Sequence, residues 1–256
     1  MKSKYILLDK NILNKIEADK YLLYTIISKY KTVRDEIVFT LDYILQNLNI
    51  NNNNSYARRK IIEILLLWQE IGIYKYNIDL NRIKNSDLII ADQCYDSSDN
   101  FVMIYDNELN KILKCKENVD INKLFAVFVY IKSCMDNITT ICYPNFEKIK
   151  QSTLISHNKT ISQYINILKN LKLIIVDNPG YKVFKNGNIR RSNNWYALPG
   201  HEHDLHDAIE KEKQKLEKKK IEIAKGVESN RKRSEAMKKY WREKKKNTNS
   251  IFQSST

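Results

Sequence analysis

The stretch from Pro144 to Leu198 constrains the fold most. Within it Ile161, Ile165, Leu168 and Leu171 recur at spacings of 4, 3 and 3, which sets them on one face of a helix. Ser156 stands where that helix would begin and is expected to be its N-cap, its hydroxyl accepting a bond from an unpaired amide. Upstream, Pro144 suits a helix start, where a missing N–H costs nothing, and Phe146 and Ile149 are expected to face inward. Thr153 to Ser156 is left as the turn between two helices. Downstream, Asn178-Pro179-Gly180 is one turn signal and Asn186-Gly187 is a strong hairpin signal. Trp195, Tyr196 and Leu198 are expected to pair with Ile174 to Val176. The pattern reads helix, tight turn, helix, β-hairpin.

The rest of the chain is poor in structure breakers, with 5 Gly and 3 Pro among 256 residues. With Leu and Ile throughout, this argues for a mostly α protein with small β-hairpins. The net charge of +14 is unevenly placed: residues 1–118 carry +1, residues 119–200 carry +7 and residues 201–256 carry +6. A surface for a polyanion is therefore expected on the second and third parts only. Cys94, Cys115, Cys134 and Cys142 lack paired spacing of the zinc or redox kind, and read as reduced thiols of a cytoplasmic protein. No run of about 18 apolar residues exists, so no membrane is expected as a partner. The opening Met1 to Asp9 loses apolar character too soon for a secretory signal.

Residues 1–18 show no clear period and read as a loose lead-in. Residues 19–115 read as a first domain. Its opening helix carries Leu22, Leu23, Ile26, Ile27 and Tyr30, and a short strand at Val38 to Thr40 leads into a helix with Leu41, Ile44, Leu45 and Leu48. A polar loop spans Asn49 to Ser55. A third helix is expected from Ala57 to Ile71, with Gly72 as its left-handed stop. Strands follow at Ile73 to Ile78 and Phe101 to Tyr105, around a polar loop at Asp92 to Asn100. Residues 119–200 read as a second domain, opened by a buried helix from Ile121 to Met135, with a short strand at Ile141 to Tyr143. A shift of 100 residues lays Ile61, Leu65, Trp68, Ile71 and Ile73 on Ile161, Ile165, Leu168, Leu171 and Leu173, the mark of a tandem repeat. The first copy has Tyr56, Arg58, Arg59 and Lys60 at its helix start, but its near-zero charge leaves packing or a homodimer as its alternative role.

Residues 201–256 form a charged tail, basic from 231. Glu210 with Lys213 and Glu217 with Lys220 would support a helix there, and Gly226 is expected to break it. Arg231, Lys232, Arg233, Lys238, Lys239 and Arg242, mixed with Tyr240 and Trp241, suit a segment that is helical, or disordered until it meets a phosphate backbone.

Pro144, Ile149, Thr153, Ser156, Lys159 or His157, Thr160, Ile161, Leu171, Leu173 and Ile174 match a recognisable pattern. It resembles the winged helix-turn-helix domains of replication initiators, replisome organisers and regulators from low-GC Gram-positive bacteria, their plasmids and phages. The resemblance covers roughly Leu124 to Leu198 and, more weakly, the first domain. It implies tandem winged helix-turn-helix domains and sequence-specific binding of double-stranded DNA. Replication initiation or replisome organisation on a mobile element is the leading process, with a transcriptional regulator as the alternative and a protein-interaction scaffold as a second. Replication proteins and a second copy through the first domain are further expected partners. Two residues depart from the pattern: Leu154 and Lys172 stand where the family has Gly. A non-Gly residue in a left-handed conformation costs roughly 1 kcal/mol, so the turn is expected to be longer or differently shaped.

Candidate DNA contacts fall in three groups. His157, Asn158, Lys159, Thr160, Ser162, Gln163 and Asn166 lie at the start and outer face of the second helix, suited to base edges and phosphates. Lys182, Lys185, Arg190 and Arg191 surround the hairpin turn, with no acid from Asn178 to Ser192, and suit phosphates or the minor groove. The six tail cations named above, Arg231, Lys232, Arg233, Lys238, Lys239 and Arg242, form the third group. No Gly-rich phosphate loop is present. The His201, His203, His206 and Asp207 cluster has metal-ligand types but no partner from elsewhere to close a site. No nucleophile–base pair stands out. A non-enzyme without cofactor or metal is therefore expected.

Overall fold

The computed structural model describes residues 4–32, 36–94, 100–135, 140–184, 186 and 188–253, with backbone alone beyond residue 238. The chain is mostly α with small antiparallel sheets. β1 (Tyr5–Asp9) leads into α1 (Lys10–Leu13), and a 3₁₀ turn (Ala18–Lys20) into α2 (Tyr21–Ser28). Next come β2 (Ile37–Phe39), α3 (Leu41–Asn47), α4 (Ser55–Glu70), β3 (Tyr74–Tyr76), β4 (Ile89–Gln93), β5 (Phe101–Tyr105) and α5 (Asp106–Leu113). Then follow α6 (Ile121–Ser133), β6 (Ile141–Cys142), α7 (Phe146–Thr153), α8 (Asn158–Asn170), β7 (Ile175–Asp177), β8 (Tyr181–Val183), β9 (Ile189–Arg191) and β10 (Trp195–Ala197). α9 (Glu202–Gln253) ends the described chain. Two compact units result: Met1–Val176 with Trp195–Glu202, and Asp177–Asn194 with His203–Thr256.

The first unit is built round α6. Asp120 caps it, its carboxylate accepting from the amides of Asn122 and Lys123 at 3.0 and 3.3 Å. Leu124 to Val129 and Ile131 are all fully buried, so this helix is apolar round its circumference rather than along one stripe, as a central core helix must be. It packs against α2, α5 and β5 on one side of the sequence and α7 and α8 on the other. Residues 19–115 and 119–176, from the two stretches read as separate domains, thus share one continuous core that runs from Ile6 to Tyr196. The sheets are β1-β5, β2-β4-β3 and β6-β10-β7; the last pairs the strand of Trp195 and Tyr196 with that of Ile175 and Val176 as expected, while Ile174 and Leu198 fall outside the two strands.

Three local readings are corrected. Residues 5–13 are not a loose lead-in: β1 pairs antiparallel with β5, Leu7 opposite Met103, with Ile6 and Leu8 buried. Its partner lies about a hundred residues away, and five residues are too few to declare a period. The loop expected from Asp92 begins inside β4, the central strand between β2 and β3; residues 95–99 lie outside the described residues. The segment Asp106 to Leu113, assigned no element in the sequence, is helix α5, started by Glu108, whose carboxylate accepts the Tyr105 amide at 2.8 Å.

α4 and α8, the two copies of the 100-residue echo, end alike. Ile73 donates to Trp68 O at 2.8 Å and Gly72 to Gln69 O at 3.2 Å. In the second copy Leu173 donates to Leu168 O at 3.0 Å and Lys172 to Lys169 O at 3.0 Å. Both are the left-handed helix stop, with φ +71° at Gly72 and +52° at Lys172. Leu154 likewise sits at φ +55°. The expected lengthening of the turn is therefore corrected: the chain keeps the glycine-type geometry and takes the strain. Leu154→Gly and Lys172→Gly, both at exposed positions, are each expected to raise stability by about 1 kcal/mol, read as a higher urea midpoint at unchanged m. A fall in midpoint would refute the strain at these positions.

In the second unit β8 and β9 form a hairpin, and α9 runs unbroken through Gly226. The expected break there fails because Gly costs only about 1 kcal/mol in a helix and ion pairs span the next turns, Glu228 to Arg231 at 3.2 Å and to Lys232 at 3.8 Å. Glu210–Lys213 at 2.6 Å and Glu217–Lys220 at 3.6 Å form as expected. Among the described residues no helix is long and apolar enough to cross a membrane.

Candidate nucleic-acid interface

α7 and α8 are joined by a four-residue connection that fixes how α8 is presented. Asn145, directly after Pro144, caps α7 by accepting the Lys148 amide at 2.8 Å; Pro144 therefore precedes the cap rather than opening the helix. Thr153 Oγ1 donates to Ile149 O at 2.6 Å, Leu154 turns left-handed, and Ile155 drops back into the core. Burying Ile155 delays helix entry by one residue. His157, not Ser156, is the N-cap of α8, its carbonyl accepting from Thr160 and Ile161 at 3.1 and 3.2 Å. No side chain caps this end, so the first amides of α8 point outward with the positive end of the helix dipole, the arrangement that takes phosphate oxygens.

The faces of α8 separate cleanly. Ile161, Tyr164, Ile165, Ile167 and Leu168 are buried, and burial pushes the Tyr164 phenol upward. His157, Asn158, Lys159, Gln163 and Asn166 are exposed, while Thr160 and Ser162 are half-buried at the margins. Lys159, Ser162, Gln163, Asn166 and Asn170 line one shallow groove of about 360 Å³, joined there by Glu117. Nothing in the local sequence pattern pointed to Glu117. It lies in the polar joint before α6 and reaches the groove only through the fold. Its carboxylate repels a phosphate but accepts a cytosine amino group, so the groove is chemically suited to base edges.

The hairpin belongs to the second unit. Its base is pinned by Asn178, whose side chain donates to Ser192 O at 2.9 Å and Asn194 Oδ1 at 3.1 Å and accepts the Gly180 amide at 2.8 Å. Gly180 at φ +103° is a conformation that favours glycine. Lys182 stands directly opposite Arg190, and Tyr181 opposite Arg191. The Arg190 guanidinium lies 5.6 Å from the Phe184 ring centre. Lys182, Arg190 and Arg191 are all exposed; Lys185 and Gly187 lie outside the described residues.

On α9, Arg231 pairs within the helix with Glu228 and with Glu235 at 3.9 Å, and Lys232 with Glu228. Arg233 and Lys238 are exposed; Lys239 and Arg242 lie on the helical backbone beyond the described side chains. His203 and His206 approach Asp207 at 3.3 and 3.8 Å at exposed positions. Among the described residues no group of three or more His, Cys, Asp or Glu converges as a metal site would require. Burial pushes the Cys142 thiol upward, as for an inert core cysteine. No protein-family model matches the chain, and no curated protein matches it.

Proposed function

We propose that this is a non-enzymatic, cytoplasmic, sequence-specific double-stranded DNA-binding protein made of two winged helix-turn-helix domains fused on one core. The observation that carries the reading is α8: one face buried, the other a polar stripe of Lys159, Gln163 and Asn166 to which the helix itself contributes no acid, behind an uncapped positive N-terminus. Those residue types are the ones that read base edges in the major groove. The hairpin cations and the basic part of α9 add affinity for phosphates without reading sequence. The matching ends of α4 and α8 support the tandem repeat. The resemblance favours replication initiation or replisome organisation on a plasmid, phage or other mobile element, with replication proteins as partners and transcription regulation as the alternative.

One observation favours a different role for residues 1–118. They carry almost no net charge, and the outer face of β1-β5 exposes Tyr5, Leu7 and Phe101. An antiparallel sheet normally turns polar residues to water, so this half is assigned to protein contact, a homodimer first among such contacts.

The test is a duplex titration at several salt concentrations. The logarithm of affinity should fall linearly with the logarithm of salt. Arg190→Ala with Arg191→Ala should reduce the slope by about 2, close to 1 for each phosphate partner removed. Salt-insensitive or absent binding would sink the proposal.

A further inference from the structure

We infer, on the basis of the duplex-binding reading above, that the β8–β9 hairpin is a wedge that unstacks a base step, Phe184 entering between bases while Lys182 and Arg190 hold the flanking phosphates. Lys182 and Arg190 are directly opposed across the two strands. Like charges in that position destabilise a hairpin, and a polyanion laid against them reverses the sign. Phe184 shares their face, two residues beyond Lys182, and is 44% exposed. Its amide donates to Asn188 O at 2.9 Å, which places the ring at the end of the ladder. The Arg190 guanidinium lies 5.6 Å from its ring centre, a cation–π distance that keeps ring and cation side by side on a hairpin with four cations and no acid from Asn178 to Ser192. An apolar side chain flanked by cations that can reach the backbone is the composition with which proteins kink duplex DNA from the minor groove.

The hairpin is fixed at its base. Its opposite face, Tyr181, Val183 and Ile189, lines a groove of about 630 Å³ together with Lys213, Leu216 and Lys220 of α9. Asn178 holds its base through three side-chain bonds to 192–194. A single-strand platform would instead offer a row of rings to successive bases. On this face one ring stands among cations, so a step in duplex DNA is the occupant the surface fits.

The full chain is mixed with A·T-rich duplexes that carry a fluorescent purine analogue at successive positions, and the same duplexes are run in a gel bending assay. The expected result is a rise in fluorescence at one step together with a bend. Phe184→Ala should abolish both while the dissociation constant changes by less than about tenfold, since the stacking forgone and the unstacking avoided are comparable; Phe184→Trp should retain both. Binding without fluorescence change, or an unchanged signal in Phe184→Ala, overturns the wedge and leaves the duplex-binding reading intact. Tighter, Phe184-dependent binding to the single strand than to the duplex also overturns it. Absence of any duplex binding overturns the reading on which it rests.

Discussion

Glu108→Ala is expected to cost about 3–5 kcal/mol of stability, against a total of about 5–15 kcal/mol for a domain. The Lys132 ammonium donates to both Glu108 carboxylate oxygens at 2.6 Å, and the two side chains are only 7% and 13% exposed. The ammonium also lies 4.9 Å from the Tyr105 ring centre and 5.5 Å from that of Phe128. Burial pulls the Lys132 pKa down even though Glu108 pulls it up, so desolvation outweighs the ion pair while the pair is intact. Removing the carboxylate leaves the charge buried without its anion and also strips the Tyr105 amide of its acceptor. Glu108→Ala combined with Lys132→Met should recover most of the loss, because a buried pair replaced by apolar groups is nearly neutral. Urea unfolding of the two variants decides it: Glu108→Ala costing under about 1 kcal/mol would show that the pair contributes as little as a surface one. The sign of the pH effect follows as well. Between the lowered folded value of Lys132 and its ordinary 10.5 the unfolded chain binds more protons, so this group's contribution makes stability rise with pH across that window.

What was legible in the sequence is what local period encodes. α4, α6 and α8 declare themselves through apolar spacing, and Gly72 marks its helix end at the residue where the chain turns left-handed. What was not legible depends on distant partners. β1 needs β5, and β4 needs both β2 and β3. α5 hides because its two buried residues, Leu109 and Ile112, make too short a stripe, and its anchor at Lys132 lies 24 residues on. The candidate site divides the same way. The outer face of α8 could be read from spacing alone, whereas Glu117 joins it only after the joint before α6 has folded against it. The Ser156 cap failed for a related reason: the core claimed Ile155, and the helix start moved by one.

Glu117 bears on the second large effect, which concerns the base preference proposed for α8. Lys159→Ala with Gln163→Ala should lower the ratio of specific to non-specific binding by about 1–3 kcal/mol for each base-reading side chain removed. Both side chains are exposed and point away from Ile161, Ile165 and Leu168, so the fold should not report the change. The two substitutions act through different physics. Gln163 is neutral, and Gln163→Ala should leave the salt slope untouched while relaxing one position of the selected sequence. Lys159→Ala should lower the slope by about 1 if the ammonium sits on a phosphate, and leave it unchanged if it reads a guanine edge. A carboxylate in the same groove disfavours a phosphate running along it, which argues for base contact at Gln163 and Asn166 and for backbone contact nearer the uncapped end at His157. Selection of bound duplexes from a randomised pool, repeated with each variant at one salt concentration, measures the base preference, and titration of each variant against salt measures the slope. An unchanged selected sequence in the double variant would remove α8 from the role of reader and leave the hairpin and α9 as sequence-indifferent anchors on DNA.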